Sequence, residues 1–274
     1  MRYLQVQNIL KKILDFYVKS SIHVALSVLS LAKISLLAAG SSGNILLLIF
    51  IFFGALSAYN FIKFYPLFTT QKLDLNNRLI FMLTLMGLLS CLITFFSLPY
   101  RAIIFVALGF VFVLGYAIPL GSKFSNWRNR KGWKLYLVVL SWICLTVGLP
   151  LASKSYFDPL LFIKLGVLQG IYILVAILPF EIGDMISDEI SLQTLPQRYG
   201  VRRVKRIGFV LLGLGLLFSI YAFGLDSRIT RSSIFIFVLL GGCLWKSHPK
   251  QSVYYSRFWV ESFPIFWYLL FYYF

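Results

Sequence analysis

Acidic side chains are scarce in this chain: nine aspartates and glutamates stand against 26 lysines and arginines in 274 residues. Histidine occurs twice and cysteine three times. Cys91, Cys144 and Cys243 each lie inside an apolar run, which argues against a disulfide framework and against a thiolate metal site; small core residues are the default there. Also missing are a Walker A loop, a nucleotide-binding glycine pattern, a zinc-ligand cluster and a nucleophile triad. Near the N-terminus no short apolar core ends in a small-residue cleavage site, so no cleavable signal peptide is expected. No repeat and no Pro- or Ser-rich linker divides the chain. It is read as a single domain over 20–274, preceded by a segment 1–19.

What the chain has is apolar length. Mean hydropathy is +0.84 and 59% of residues are hydrophobic, which excludes an ordinary soluble domain. Nine runs approach the roughly 20 apolar residues that a helix needs to cross a bilayer. They cover about 20–40, 44–65, 78–98, 101–120, 134–152, 158–180, 205–224, 231–246 and 256–273. Helices are required because an open sheet leaves its backbone unsatisfied in lipid. The expected fold class is therefore all-α, an integral membrane bundle of nine transmembrane helices.

The net charge of +17 does not point to nucleic acid, because the basic residues sit in short clusters between the spans. There they read as topology signals. Twenty fall on the side of the N-terminus and five on the other, with Lys33 inside the first span. That bias places the N-terminus in the cytoplasm and the C-terminus outside. In segment 1–19, Ile9, Leu10, Ile13 and Leu14 have helical spacing opposite Lys11, Lys12 and Asp15. This predicts an amphipathic helix on the membrane surface, with membrane lipid as its partner. Most of the aromatic residues, 18% of the chain, are expected in interfacial belts, and some along an internal tunnel.

Four of the nine acids fall in EIGDMISDEISLQTLPQRYG, residues 181–200: Glu181, Asp184, Asp188 and Glu189. The spacing of Glu181, Asp184 and Asp188 puts them on one stripe of a helix. A carboxylate stripe at the end of an apolar run suits Mg²⁺, a hard cation that takes oxygen ligands and shares its shell with phosphates. The alternative is a solvated helix end balanced by Arg198, Arg202, Arg203, Lys205 and Arg206.

The acid spacing followed by Thr194, Leu195, Pro196, Arg198 and Gly200 resembles the second aspartate motif of the UbiA superfamily of membrane prenyltransferases. Asn60, in SAYNFIKFY, matches the asparagine of that family's first motif. Phe61 and Phe64 stand where its two aspartates would be, so the chain resembles a divergent member with a degenerate first motif. GYAIPLGSK, ending at Lys123, resembles the segment after the family's fourth helix.

The resemblance implies a nine-helix bundle with a cytoplasmic N-terminus. It also implies Mg²⁺-dependent transfer of an isoprenyl group from an isoprenyl diphosphate to a hydrophobic acceptor, commonly an aromatic or quinone-type ring. Asp184 and Asp188 would be metal ligands, and Glu181 a ligand or its neighbour. Asn60 would orient the diphosphate. Lys63, one turn from Asn60, would supply a fixed positive charge there. Tyr116 would face the isoprenoid, Lys123 or Arg128 would reach the diphosphate, and Arg198 would bind substrate. The expected setting is a bacterial inner membrane, with the active site on the cytoplasmic face. Two alternatives stay open: a protein of this fold that binds a lipid, quinone or isoprenoid without turning it over, and a small multi-pass transporter. His23 and Glu261, both near the cytoplasmic ends of their spans, are expected to pair across the bundle. Lys33 has no obvious partner.

Overall fold

The computed structural model describes residues 2–68, 75–118, 133–188 and 192–274, and the regular elements in them are all helical. In chain order they are α1 (Arg2–Lys19), α2 (Ile22–Ala38), α3 (Ile45–Phe68), α4 (Leu75–Phe95), α5 (Tyr100–Ala117), α6 (Trp133–Ile143), a first π turn (Cys144–Gly148), α7 (Leu149–Ala152), α8 (Pro159–Asp184), α9 (Leu195–Tyr199), α10 (Val201–Phe223), α11 (Arg228–Lys246), a second π turn (Tyr255–Val260) and α12 (Glu261–Tyr273).

Seven of these stretches are long and apolar enough to cross a membrane, or eight if a bent pair counts as one span. They match the predicted second to eighth spans. The first predicted span coincides with α2, which qualifies only together with the end of α1, across a bend of 55°. The ninth falls on the second π turn and α12, which are 6 and 13 residues long. Large apolar side chains line the outside of the bundle, for example Leu85, Met86, Leu89, Leu92 and Ile93 on α4. That arrangement is stable only where the surroundings are apolar too.

α2 packs against α3, α12, α7 and the first π turn. It buries Leu31 and Ile34 in a cluster with Tyr172, Phe237 and Trp267. On its other side Ala25, Val28, Ala32 and Leu36 join a cluster with Ile51, Leu56, Ala102 and Leu149. Its sequence suits this place. Small residues let neighbouring helices approach, and the buried Ser27, Ser30 and Ser35 each donate to the carbonyl four residues back. Ser30 and Ser35 are thus satisfied within the helix itself, while Ser27 Oγ also meets the Glu261 carbonyl of α12.

Lipid cannot satisfy a buried amide, so Gln169 on α8 finds all its partners inside. It accepts from Thr146 Oγ1 in the first π turn at 2.8 Å and donates to Ser35 Oγ and the Leu31 carbonyl. This node ties α2, α8 and the first π turn together in mid-bundle.

α1 is the predicted amphipathic helix, with Ile9, Leu10 and Ile13 exposed. Two hydrogen bonds hold it to the bundle: Tyr17 Oη with His23 Nδ1 at 2.9 Å, and Tyr254 Oη with the Asp15 carboxylate.

Candidate functional site

Regular helix stops at Asp184, and the predicted acidic stripe runs on into the turn that follows. The chain turns through Met185–Ser187, and the amides of Ser187 and Asp188 donate back to the Asp184 carbonyl. The turn brings Asp188 round to Glu181. The two carboxylates meet on one ammonium group: Lys134 Nζ lies 2.7 Å from Glu181 Oε1 and 3.4 Å from Asp188 Oδ2. Glu181 is buried, Asp188 is half-buried, and the Lys134 side chain is only 21% exposed. The pairing thus satisfies a carboxylate that would be costly to leave alone.

The loop beyond is fixed by Gln197. Its Oε1 accepts from the Thr194 amide, and its Nε2 donates to the Asp188 carbonyl at 3.1 Å. The family-like tail Thr194–Gly200 is therefore bound to the acidic turn through its backbone. Arg198 is exposed and lies over the Tyr199 ring, 5.2 Å from its centroid.

Lys134 and Gln197 are the two residues that the sequence reading missed. Lys134 was counted among the topology charges at the start of its span. Gln197 is an ordinary residue within a recognised tail.

The other expected site residues are placed as follows. Asn60 is buried between α3 and α4, and its amide donates to Thr84 Oγ1 at 3.0 Å. Its Oδ1 is buried with no hydrogen-bond partner. Half of the side chain is thus spent on helix packing, and half is an orphaned acceptor. Lys63 Nζ donates to Ser21 Oγ at 2.9 Å, at the bend between α1 and α2. Ser21 adopts the left-handed conformation there, with φ 63°. Tyr116, at the end of α5, lies within electrostatic reach of Lys134 and of Tyr59. Phe61 and Phe64 are half-buried on α3. Lys123, Arg128 and Glu189 lie outside the described residues.

The expected pairing of His23 with Glu261 is corrected. His23 stacks on Phe258 with ring centroids 5.0 Å apart. Its Nε2 donates to the Phe258 carbonyl and shares a contact with Ser262 Oγ. α2 and α12 do meet at this depth, but His23 binds the residues flanking Glu261. The physical reason is that the imidazole reaches the Phe258 carbonyl, which Ser262 Oγ also meets, and not the side chain that follows. Lys33, for which no partner was foreseen, donates to the Ser42 carbonyl.

The donor set bears on a metal. Among the described residues no three acidic, histidine or cysteine side chains are grouped closely enough to cage an ion. Mg²⁺, however, is commonly held by one or two carboxylates together with substrate phosphates. Two carboxylates on one ammonium leave the clasp net negative. It would repel a bare diphosphate and accept one that arrives with a divalent cation. Glu181, Asp184 and Asp188 thus fit Mg²⁺ in charge and in hardness, as partners of a substrate-borne ion.

No family model matches the chain, and no curated protein does. A solved structure is similar: that of a digeranylgeranylglyceryl phosphate synthase in membranes, with a TM-score of 0.60 and 14% identity, over 93% of this chain and 94% of that chain. At that identity the likeness is one of fold, and the UbiA-like membrane fold expected from the sequence is the fold this chain has.

Proposed function

We propose that this protein transfers an isoprenyl group from an isoprenyl diphosphate to a hydrophobic acceptor within the membrane, with Mg²⁺ entering alongside the diphosphate. The observation that carries the reading is the Glu181–Lys134–Asp188 clasp, set at one end of a bundle that matches a UbiA-type prenyltransferase over nearly its whole length. In this reading Glu181, Asp184 and Asp188 receive the metal–diphosphate, and Lys134 fixes the geometry of two of the three. When bound, Mg²⁺ neutralises the charge of the departing pyrophosphate. The orphaned Asn60 Oδ1 orients the polar end of the substrate, Lys63 adds fixed positive charge, and Tyr116 and Arg198 bound the entrance. By the positive-inside bias this end faces the cytoplasm.

The test is binding of geranylgeranyl diphosphate to the full chain in nanodiscs, with and without Mg²⁺. Wild type is compared with Asp184→Asn and Asp188→Asn. The expected result is Mg²⁺-dependent binding that falls at least tenfold in each variant. Binding indifferent to metal and to both changes would overturn it.

A second reading has one observation in its favour. Phe61 and Phe64 stand where a second set of carboxylates would be, and the Asn60 amide is engaged with Thr84. A non-catalytic isoprenoid binder would bind the diphosphate and release no pyrophosphate with any acceptor.

A further inference from the structure

A groove opens on the outside of the bundle between α11 and α12. It holds about 630 Å³, and its accessible lining is wholly apolar. Phe235, Val238 and Leu239 form one wall, and Phe266, Leu269 and Tyr273 the other. All six are exposed. The opposite faces of the same two helices carry Phe237, Leu240, Trp267 and Phe271 into the core. The groove is therefore not part of the packing that holds the bundle together, and it faces lipid.

Its level in the membrane follows from α10. Val201 starts that helix, directly after the tail that is bound to the clasp. Eighteen residues on, the Ser219 carbonyl accepts from Thr230 Oγ1 of α11 at 3.0 Å. At 1.5 Å per residue those two levels are about 27 Å apart, close to the thickness of the hydrocarbon core. Arg231, next to Thr230, thus stands at the headgroup level of the leaflet opposite the clasp. From there the groove runs inward, with Phe235 about one turn and Leu239 about two turns below Arg231.

The mouth of the groove is charged. Phe235 stacks on Phe274 with ring centroids 5.6 Å apart. The Arg231 guanidinium lies over the same Phe274 ring, 5.7 Å from its centroid. That contact holds an exposed cation at the outer end of an apolar groove. Among the described residues no carboxylate lies within ion-pair distance of it. Its nitrogens are suited to a phosphate, which a guanidinium meets with two parallel hydrogen bonds.

An occupant that uses both features has an apolar chain and an anionic head. It also has to lie parallel to the helices with its head at the membrane surface. A phospholipid of that leaflet already has this orientation. We propose that the groove between α11 and α12 is a binding site for an anionic phospholipid, with one acyl chain along the apolar walls and the phosphate on Arg231. Such a site does not depend on isoprenyl transfer.

The probes are phosphatidylglycerol and phosphatidylcholine, each carrying a photoreactive diazirine on one acyl chain. Each is added in trace to the full chain in phosphatidylcholine nanodiscs, and the labelled peptides are mapped by mass spectrometry. One arginine near the surface is worth about a fivefold preference for the anionic lipid. Labelling within 234–239 and 266–273 by phosphatidylglycerol should exceed that by phosphatidylcholine by this factor. Arg231→Gln should abolish the preference, and Arg231→Lys should keep part of it. Arg101→Gln, on α5, should leave it unchanged. Leu239→Trp fills the groove and should lower labelling by both probes. Equal labelling by the two lipids in wild type means ordinary boundary lipid, and overturns the proposal. So does a preference that survives Arg231→Gln, or labelling indifferent to Leu239→Trp. A groove that neither lipid labels, in a chain that runs as a dimer, belongs to a second copy and overturns it too.

Discussion

Lys134 decides the state of the acidic turn. Replacing it with methionine keeps most of its length and removes its charge, leaving the buried Glu181 uncompensated. We expect Lys134→Met to cost about 2–4 kcal/mol, toward the lower end of the range for broken buried pairs because the lysine is partly exposed. Adding Glu181→Gln should restore part of that loss, by about 1–2 kcal/mol, because no charge is then stranded. Thermal unfolding of the two single variants and the double variant in detergent gives the coupling; additive losses would show that the clasp is not a unit. The residue scale is also where the sequence was least readable. Acids are so rare here that four in one stretch announce a site. Lysines at span ends are common, so a lysine that holds two carboxylates looks the same in the string as one that only sets topology. Glu261 was noticed, but its surroundings were not, because His23 bonds a backbone carbonyl, and carbonyls leave no mark in a sequence.

Two elements can be tested by what they hold together. Gly200 joins α9 to α10 with φ 77° and ψ 152°, a region that is nearly exclusive to glycine. Nothing lies within 4 Å of where its Cβ would be, so Gly200→Ala should cost about 1–3 kcal/mol through the backbone alone. Gly224, at the far end of α10, has φ 82° and ψ 155° and should cost the same. Only Gly200→Ala should also weaken geranylgeranyl diphosphate binding, because it moves the tail that Gln197 ties to Asp188. The mid-bundle amide gives a second test. Gln169→Leu strands the Thr146 hydroxyl and should lower stability by about 1–3 kcal/mol, whereas Gln169→Leu with Thr146→Val should lie closer to wild type. Helices were the most legible part of the sequence, since apolar runs and polar breaks alone delimit α3, α4, α5, α8, α10 and α11. The end of α8 was not. Regular helix ends at Asp184, yet the Asp188 amide still bonds the carbonyl four residues back, so the i, i+7 spacing keeps Glu181 and Asp188 on the side that Lys134 meets.

At the scale of the whole molecule, the positive-inside bias predicts the clasp on the cytoplasmic side. With the native cysteines replaced, Arg198→Cys should react with a membrane-impermeant maleimide in inside-out vesicles only. Tyr156→Cys, exposed at the opposite end, should react in right-side-out vesicles only. The reverse pattern would invert the orientation. The second π turn has a consequence for comparing this protein with any other. A π turn amounts to one residue inserted into an α-helix, and one residue is about 100° of rotation. An alignment that runs gaplessly through 255–260 against a partner with an uninterrupted helix would pair Glu261 with a residue facing elsewhere. The correspondence of the last helix is therefore to be counted backwards from Tyr273, and deleting one residue within the turn should rotate the segment before it by about 100° against Glu261 and the rest of α12.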